Sequence, residues 1–185
     1  MAHVLMVDED QRLIKVYANH LLEAGHTVTV RYGSVEADTF LREALSNHRP
    51  PDAVTMGIMM SPYGLFTPEE TDDGLRTGAS FFHRMRAAHN YFGPVVVLTN
   101  VAHEVVRSSF EAVGCVYAVK EETYPPKLVD IIEQCTRPKN PVSFLHQAFL
   151  RWRNGRPGFA VRKPDISLPN ADRRRIEDLI PSLEV

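Results

Sequence analysis

Cysteine is scarce in this chain. Two residues among 185, Cys115 and Cys135, cannot build the disulfide framework of a small secreted domain, and they read as two reduced thiols of a cytoplasmic protein. Long apolar runs are missing too: none approaches the ~20 residues that cross a bilayer. Met1-Ala2-His3 leads straight into an apolar segment with no basic stretch ahead of it, so no signal peptide is expected. The eight histidines show no paired ligand spacing. No zinc, Walker or dinucleotide motif and no catalytic triad is visible. These absences point away from an enzyme and a membrane protein. What is there, 44% hydrophobic and 24% charged residues, is the composition of a soluble globular chain.

Charge is unevenly spread. Residues 1–136 carry 11 Lys/Arg against 18 Asp/Glu, whereas residues 137–185 carry 10 against 5. The split predicts an acidic domain over 1–136 and a basic extension over 137–185. That extension has two destinations open to it, its own acidic domain or a separate acidic partner.

Five apolar or β-branched runs read as strands: His3–Val7, Thr27–Arg31, Ala53–Met56, Pro94–Thr99 and Val116–Val119. Segments of helical period separate them. Leu13, Ile14, Tyr17, Leu21 and Leu22 define the first helix, which Gly25 ends. Ser34 is expected to cap a second, bearing Phe40, Leu41 and Leu45. Helices over Gly74–Ala88, Glu104–Val113 and Pro125–Cys135 come after them. Strands alternating with helices imply βαβ units, hence an α/β, flavodoxin-like, doubly wound parallel sheet of order 2-1-3-4-5. The functional crevice of such a sheet lies beyond the strand ends where the order reverses, between strands one and three. Asp8-Glu9 and Gly57 stand there.

Further positions fall into line. Thr99 ends the fourth strand, Lys120 follows the fifth, and Tyr117 lies three residues before that lysine. Pro51-Asp52 precedes the third strand and Met59-Met60 follows it. Over residues 3–136 this pattern resembles the receiver (CheY-like) domains of response regulators. The resemblance implies that Asp8 and Glu9 match an acidic pair holding Mg²⁺, with the Met59 carbonyl as a backbone ligand. It implies that Thr99 matches the hydroxyl that meets a phosphoryl oxygen, Lys120 the ammonium that pairs with it, and Tyr117 the switch aromatic. Gly57 falls where these domains hold the phospho-accepting aspartate. Glycine has no carboxylate, so the expectation is a pseudo-receiver with no cofactor or only weakly bound Mg²⁺. The alternative is a phosphorylatable regulator whose acceptor Gly57 has replaced.

Plainer readings stand beside these. Asp8, Glu9 and Asp10 suit a helix N-terminus. Lys120 suits a structural ion pair with Asp8 or Glu9, Thr99 the cap region of the next helix, and Tyr117 a packed surface aromatic. Two departures from the resemblance matter. Glu121, not proline, follows Lys120, so an ordinary trans bond and a somewhat displaced Lys120 are expected. Residues 61–73 form a long loop with Tyr63, Leu65 and Phe66 and four acids, expected to overhang the crevice without structure of its own. Gly74–Gly78 (GLRTG) closes it.

Pro138 and Pro141 mark the junction to the extension. Ser143–Arg153 reads as a short amphipathic helix with Phe144, Leu145, Ala148, Phe149 and Trp152 on one side. A last short helix carries Ile176, Leu179 and Ile180. The extension is too small for its own core and is expected to pack on the domain or on a second copy. Arg151, Arg153, Arg156 and Arg173–Arg175 form a basic set, but no recognition-helix pattern accompanies them, and nucleic acid and membrane are set aside. The partner expected is a protein or a second copy. It would be met through the face of residues 104–113, 116–119 and 125–135, through loop 61–73, or through the extension.

Overall fold

Strands that are apolar at nearly every position bury both their faces, which a parallel sheet between two helical layers demands. The computed structural model describes residues 1–137. In it β1 (His3–Val7), β2 (Thr27–Arg31), β3 (Ala53–Met56), β4 (Val95–Thr99) and β5 (Val116–Val119) pair in parallel in the order β2-β1-β3-β4-β5. Val7 is level with Arg31 and with Met56, Met56 with Val97, and Thr99 with Val119, so the strands end along one edge. The expected fold class and strand order are what is observed.

Among the described residues five helices join the strands, α1 (Gln11–Glu23), α2 (Ser34–Ser46), α3 (Pro68–Thr71), α4 (Thr77–Ala87) and α5 (Glu104–Ala112), and α6 (Pro125–Thr136) follows β5. Alternation along the strands sorts the core into two layers. Leu5, Val54 and Val95 pack with Leu41 of α2, Phe81 and Phe82 of α4 and Phe110 of α5. Val4, Met6 and Val96 pack on the opposite side with Leu21 of α1 and Ile132 of α6. One charged cluster crosses the first layer. Asp38 of α2, its side chain 8% exposed, accepts from Arg84 Nε at 2.7 Å and Nη2 at 3.1 Å, and His89 Nε2 lies 2.5 Å from it.

The structure corrects three local expectations. Ser34 does not cap α2; Gly33 does, in extended backbone and without a side-chain bond. Ser34 is enclosed in the core, its hydroxyl without a partner, so it cannot turn to the helix amides. Loop 61–73 has structure of its own. Pro68 opens α3 and a capping box closes its start: Glu70 N–H donates to Thr67 Oγ1 (3.3 Å) and Thr67 N–H to the Glu70 carboxylate (2.9 Å). Helix α4 then begins at Thr77 rather than Gly74, because Gly74 is at φ +94°, outside helical backbone. The expected helix over 143–153, the final helix and the arginine set lie outside the described residues. Among those residues no helix is long and apolar enough to cross a membrane.

Candidate functional site

The strand edge where order reverses is occupied by three consecutive acids, and they part ways. Asp10 caps α1, its carboxylate accepting from Arg12 N–H (3.2 Å) and Leu13 N–H (3.0 Å). Glu9 accepts from Ser61 N–H at 2.6 Å, tying the end of β1 to the start of loop 61–73. Asp8 accepts from Asp10 N–H at 2.9 Å and faces Lys120, whose Nζ lies 2.8 Å from Asp8 Oδ2. The two side chains are 14% and 9% exposed, so this is a largely desolvated ion pair. Capping is thus the role of Asp10 alone, and Asp8 rather than Glu9 is the partner of Lys120.

Lys120 opens a 3-10 turn, Lys120–Glu122, directly after β5. Buried Tyr17 of α1 holds that turn from below: its hydroxyl donates to the Thr123 carbonyl at 2.5 Å and lies 3.4 Å from the Lys120 carbonyl. Burial, and then the negative charge of Asp8, push the Tyr17 hydroxyl pKa up, so it stays a donor. No described peptide bond is cis, and Lys120 reaches Asp8 all the same. Replacing Lys120 by methionine strands the Asp8 carboxylate with one backbone donor. The expected loss is about 1–3 kcal/mol, read as a lower midpoint in urea, and an unchanged midpoint would contradict the pairing.

Gly57 N–H donates to the Val7 carbonyl at 3.0 Å. A Cβ at Gly57 would stand 3.0 Å from Asp8 Oδ2 and 3.8 Å from the Met59 carbonyl oxygen. Asp8 therefore leans across the space that a side chain at position 57 would use. The loop after β3 is clamped from the other side by Gly74–Gly78. Met60 N–H donates to the Gly74 carbonyl (3.2 Å), Thr77 Oγ1 to the Met60 carbonyl (2.6 Å), and Gly78 N–H to the Ile58 carbonyl (2.8 Å). At Gly78 a Cβ would overlap the Gly57 carbonyl oxygen.

Thr99 is 2% exposed and accepts from Val101 N–H at 3.2 Å. Tyr117 donates its hydroxyl to the Val101 carbonyl at 2.7 Å. The Val101 residue is gripped at both its backbone polar groups by these two side chains. Tyr117 is not a surface aromatic: it is 7% exposed, its ring 6.1 Å from that of Phe110 and 5.3 Å from the Arg107 guanidinium. Burial raises its hydroxyl pKa, with Arg107 pulling weakly the other way. Thr99 does not cap α5, because His103 holds that position.

A divalent cation does not fit these groups. Asp8 already faces an ammonium, Glu9 is turned to a backbone amide, and Gly57 offers no carboxylate. Among the described residues no three His, Cys, Asp or Glu side chains cluster as a metal set. The void enclosed beside Asp8, Tyr17 and Lys120 measures about 10 Å³, room for one water.

Asp8, Glu9, Gly57, Thr99, Lys120 and the Met59 carbonyl all stand at the crevice edge. Tyr17 holds the turn that carries Lys120, and Thr77 and Gly78 hold the loop that carries Gly57 and Met59; these roles are not legible in the sequence. In the sequence Tyr17 reads as one more core position of α1. The repeated glycines flanking Thr77 were the one signal for the clamp.

No family model and no curated protein matches the chain. Solved structures do. A Francisella response-regulator receiver domain is 21% identical with a TM-score of 0.55, covering 76% of this chain and 100% of that one. The Vibrio cholerae chemotaxis response regulator CheY4 is 21% identical with a TM-score of 0.54, covering 73% and 98%. The BeF3-activated receiver domain of Klebsiella pneumoniae RstA gives the same 21% and 0.54, covering 73% and 98%. Sheet order, helix layers and these neighbours agree: the described part of this chain has the fold of a response-regulator receiver domain.

Proposed function

We propose that this chain is a phosphorylation-independent pseudo-receiver, a protein-interaction module of a two-component-type signalling pathway that catalyses no turnover. The reading rests on Gly57, which offers no carboxylate where the resemblance puts the phospho-acceptor, and on Asp8, whose Oδ2 would stand 3.0 Å from a Cβ at that position. A phosphoryl group needs a positioned nucleophile and compensating charge. Here the nucleophile is missing and the compensating ammonium is engaged internally.

The partner face we favour is the one built from α5, β5 and α6. Val105 is 48% exposed, Val116 37% and Tyr124 64%, and Arg107 lies 3.9 Å from both Glu104 and Glu122. Single exposed apolar residues are ordinary, so the reading of this face rests on Val105 and Tyr124 at the crevice end of β5 together with those charges. The test is co-purification with the full chain, run with and without acetyl phosphate and Mg²⁺. The same partners in the same yield are expected, with recovery falling at least tenfold for Val105→Asp. Partners that appear only with the phosphoryl donor would contradict the reading.

A further inference from the structure

The crevice and the partner face share one short piece of chain. Residues 120–124 begin at Lys120, whose ammonium stands in the crevice, and end at Tyr124, 64% exposed on the face. Local chemistry sets the two ends of this piece. Val119 closes β5, and Pro125 opens α6. Proline holds the residue before it in extended backbone, and Tyr124 is at φ −66°, ψ 155°. Between these ends lies the 3-10 turn Lys120–Glu122. A single such turn has poorly aligned hydrogen bonds and holds itself weakly.

What fixes the turn therefore comes from outside it. Lys120 Nζ meets Asp8 Oδ2 at 2.8 Å. Thr123 is 2% exposed, and its carbonyl accepts from the Tyr17 hydroxyl at 2.5 Å. The same hydroxyl lies 3.4 Å from the Lys120 carbonyl, so α1 grips both ends of the turn from the core side. On the solvent side the ties are looser. Lys127 Nζ donates to the Glu122 carbonyl at 2.9 Å from an exposed position, and Arg107 stands 3.9 Å from the Glu122 carboxylate. Exposed charged contacts contribute little, whereas a buried carbonyl stripped of its donor is costly. The core-side anchors dominate. A turn released from them takes Glu122 away from Arg107 and re-aims Tyr124.

Given the partner face proposed above, we propose that Tyr17 is a buried positioning residue of that face. Together with the Asp8–Lys120 pair it sets residues 120–124, and through them the placement of Glu122 and Tyr124 at the surface. Tyr17 is itself 2% exposed and out of reach of a partner protein. The state of the crevice is thereby read at a surface that no crevice residue touches.

The test compares the full chain with Tyr17→Phe and Lys120→Met. Tyr17→Phe keeps the ring, so the core stays filled and only the donor is lost. Backbone order parameters over 120–124 are read by NMR relaxation. Values near the rigid level of about 0.85 are expected in the parent, falling below about 0.6 in both variants, with the β1 and β3 amides unchanged. Recovery of the partners that co-purify with the parent is expected to drop severalfold in Tyr17→Phe. Order parameters that stay at the parent's level in either variant overturn the proposal. Val105→Asp, on α5 and outside the turn, separates the remaining outcomes. Recovery lost there but kept in Tyr17→Phe overturns the link alone. Recovery kept in both overturns the choice of face, and this proposal with it.

Discussion

Gly78→Ala is expected to destabilise the domain by about 3 kcal/mol, the upper end for an overpacked core, with a fall in midpoint of roughly 10 °C. The added methyl would overlap the Gly57 carbonyl oxygen and stand 2.8 Å from Ile58 Cα. Both are backbone atoms of the loop that α4 is bonded to, so neither can swing aside. Relief requires α4 to lift away, which also stretches Gly78 N–H off the Ile58 carbonyl. Gly57→Ala makes the useful contrast. Its nearest neighbour is the carboxylate end of Asp8 at 3.0 Å, a side chain that can yield, and a loss under about 1 kcal/mol is expected. Equal losses in thermal or urea melts of the two variants would refute this account of the clamp.

Asp38→Asn should be the second large effect. Asp38 ties α2 to α4 and to the turn after it through Arg84 and His89. Removing one partner from a buried pair leaves the other charge uncompensated, typically about 3–5 kcal/mol. Arg84 is 38% exposed and can regain water, which places the expected loss near the low end, about 3 kcal/mol. Burial alone would raise the Asp38 pKa, but the bonds and charges of Arg84 and His89 outweigh it and hold the carboxyl below its ordinary value. This fixes the sign of the pH dependence. The folded state binds this proton less readily than the unfolded chain, so the contribution is complete above the ordinary Asp value of about 4. It is lost as pH falls through the lower folded-state value. Asp38→Asn should therefore lower the midpoint at neutral pH and flatten part of the acid limb of stability against pH. An acid limb identical to that of the parent would contradict it.

Much of this molecule could be read without coordinates. The five strands announce themselves because each is a short apolar run between turn residues, and the sheet order follows from the βαβ alternation. The placement of Asp8, Gly57, Thr99 and Lys120 at one edge follows from topology alone. What period and propensity could not supply is which acid meets which partner. Asp8, Glu9 and Asp10 are adjacent and alike, and only the turn from β1 into α1 decides that one pairs, one ties a loop and one caps. Helix α3 was readable in Thr67-Pro68-Glu69-Glu70, a capping box with proline at the first helical position, yet loop length outweighed that local chemistry. The Asp38–Arg84–His89 cluster joins residues 46 and 51 positions apart, a separation no local pattern encodes. In the sequence Tyr117 reads as a packed surface aromatic. The neighbouring Phe110 and Arg107 of α5 cover it.

The most direct test of the pseudo-receiver reading is intact mass after incubation with acetyl phosphate and Mg²⁺, on the full chain and on Gly57→Asp. The parent is predicted to keep its mass, and the variant, whose new carboxylate stands beside Asp8 and so competes with it for Lys120, to gain one alkali-labile phosphoryl group. A stoichiometric, alkali-labile phosphoryl adduct on the parent chain would contradict the account.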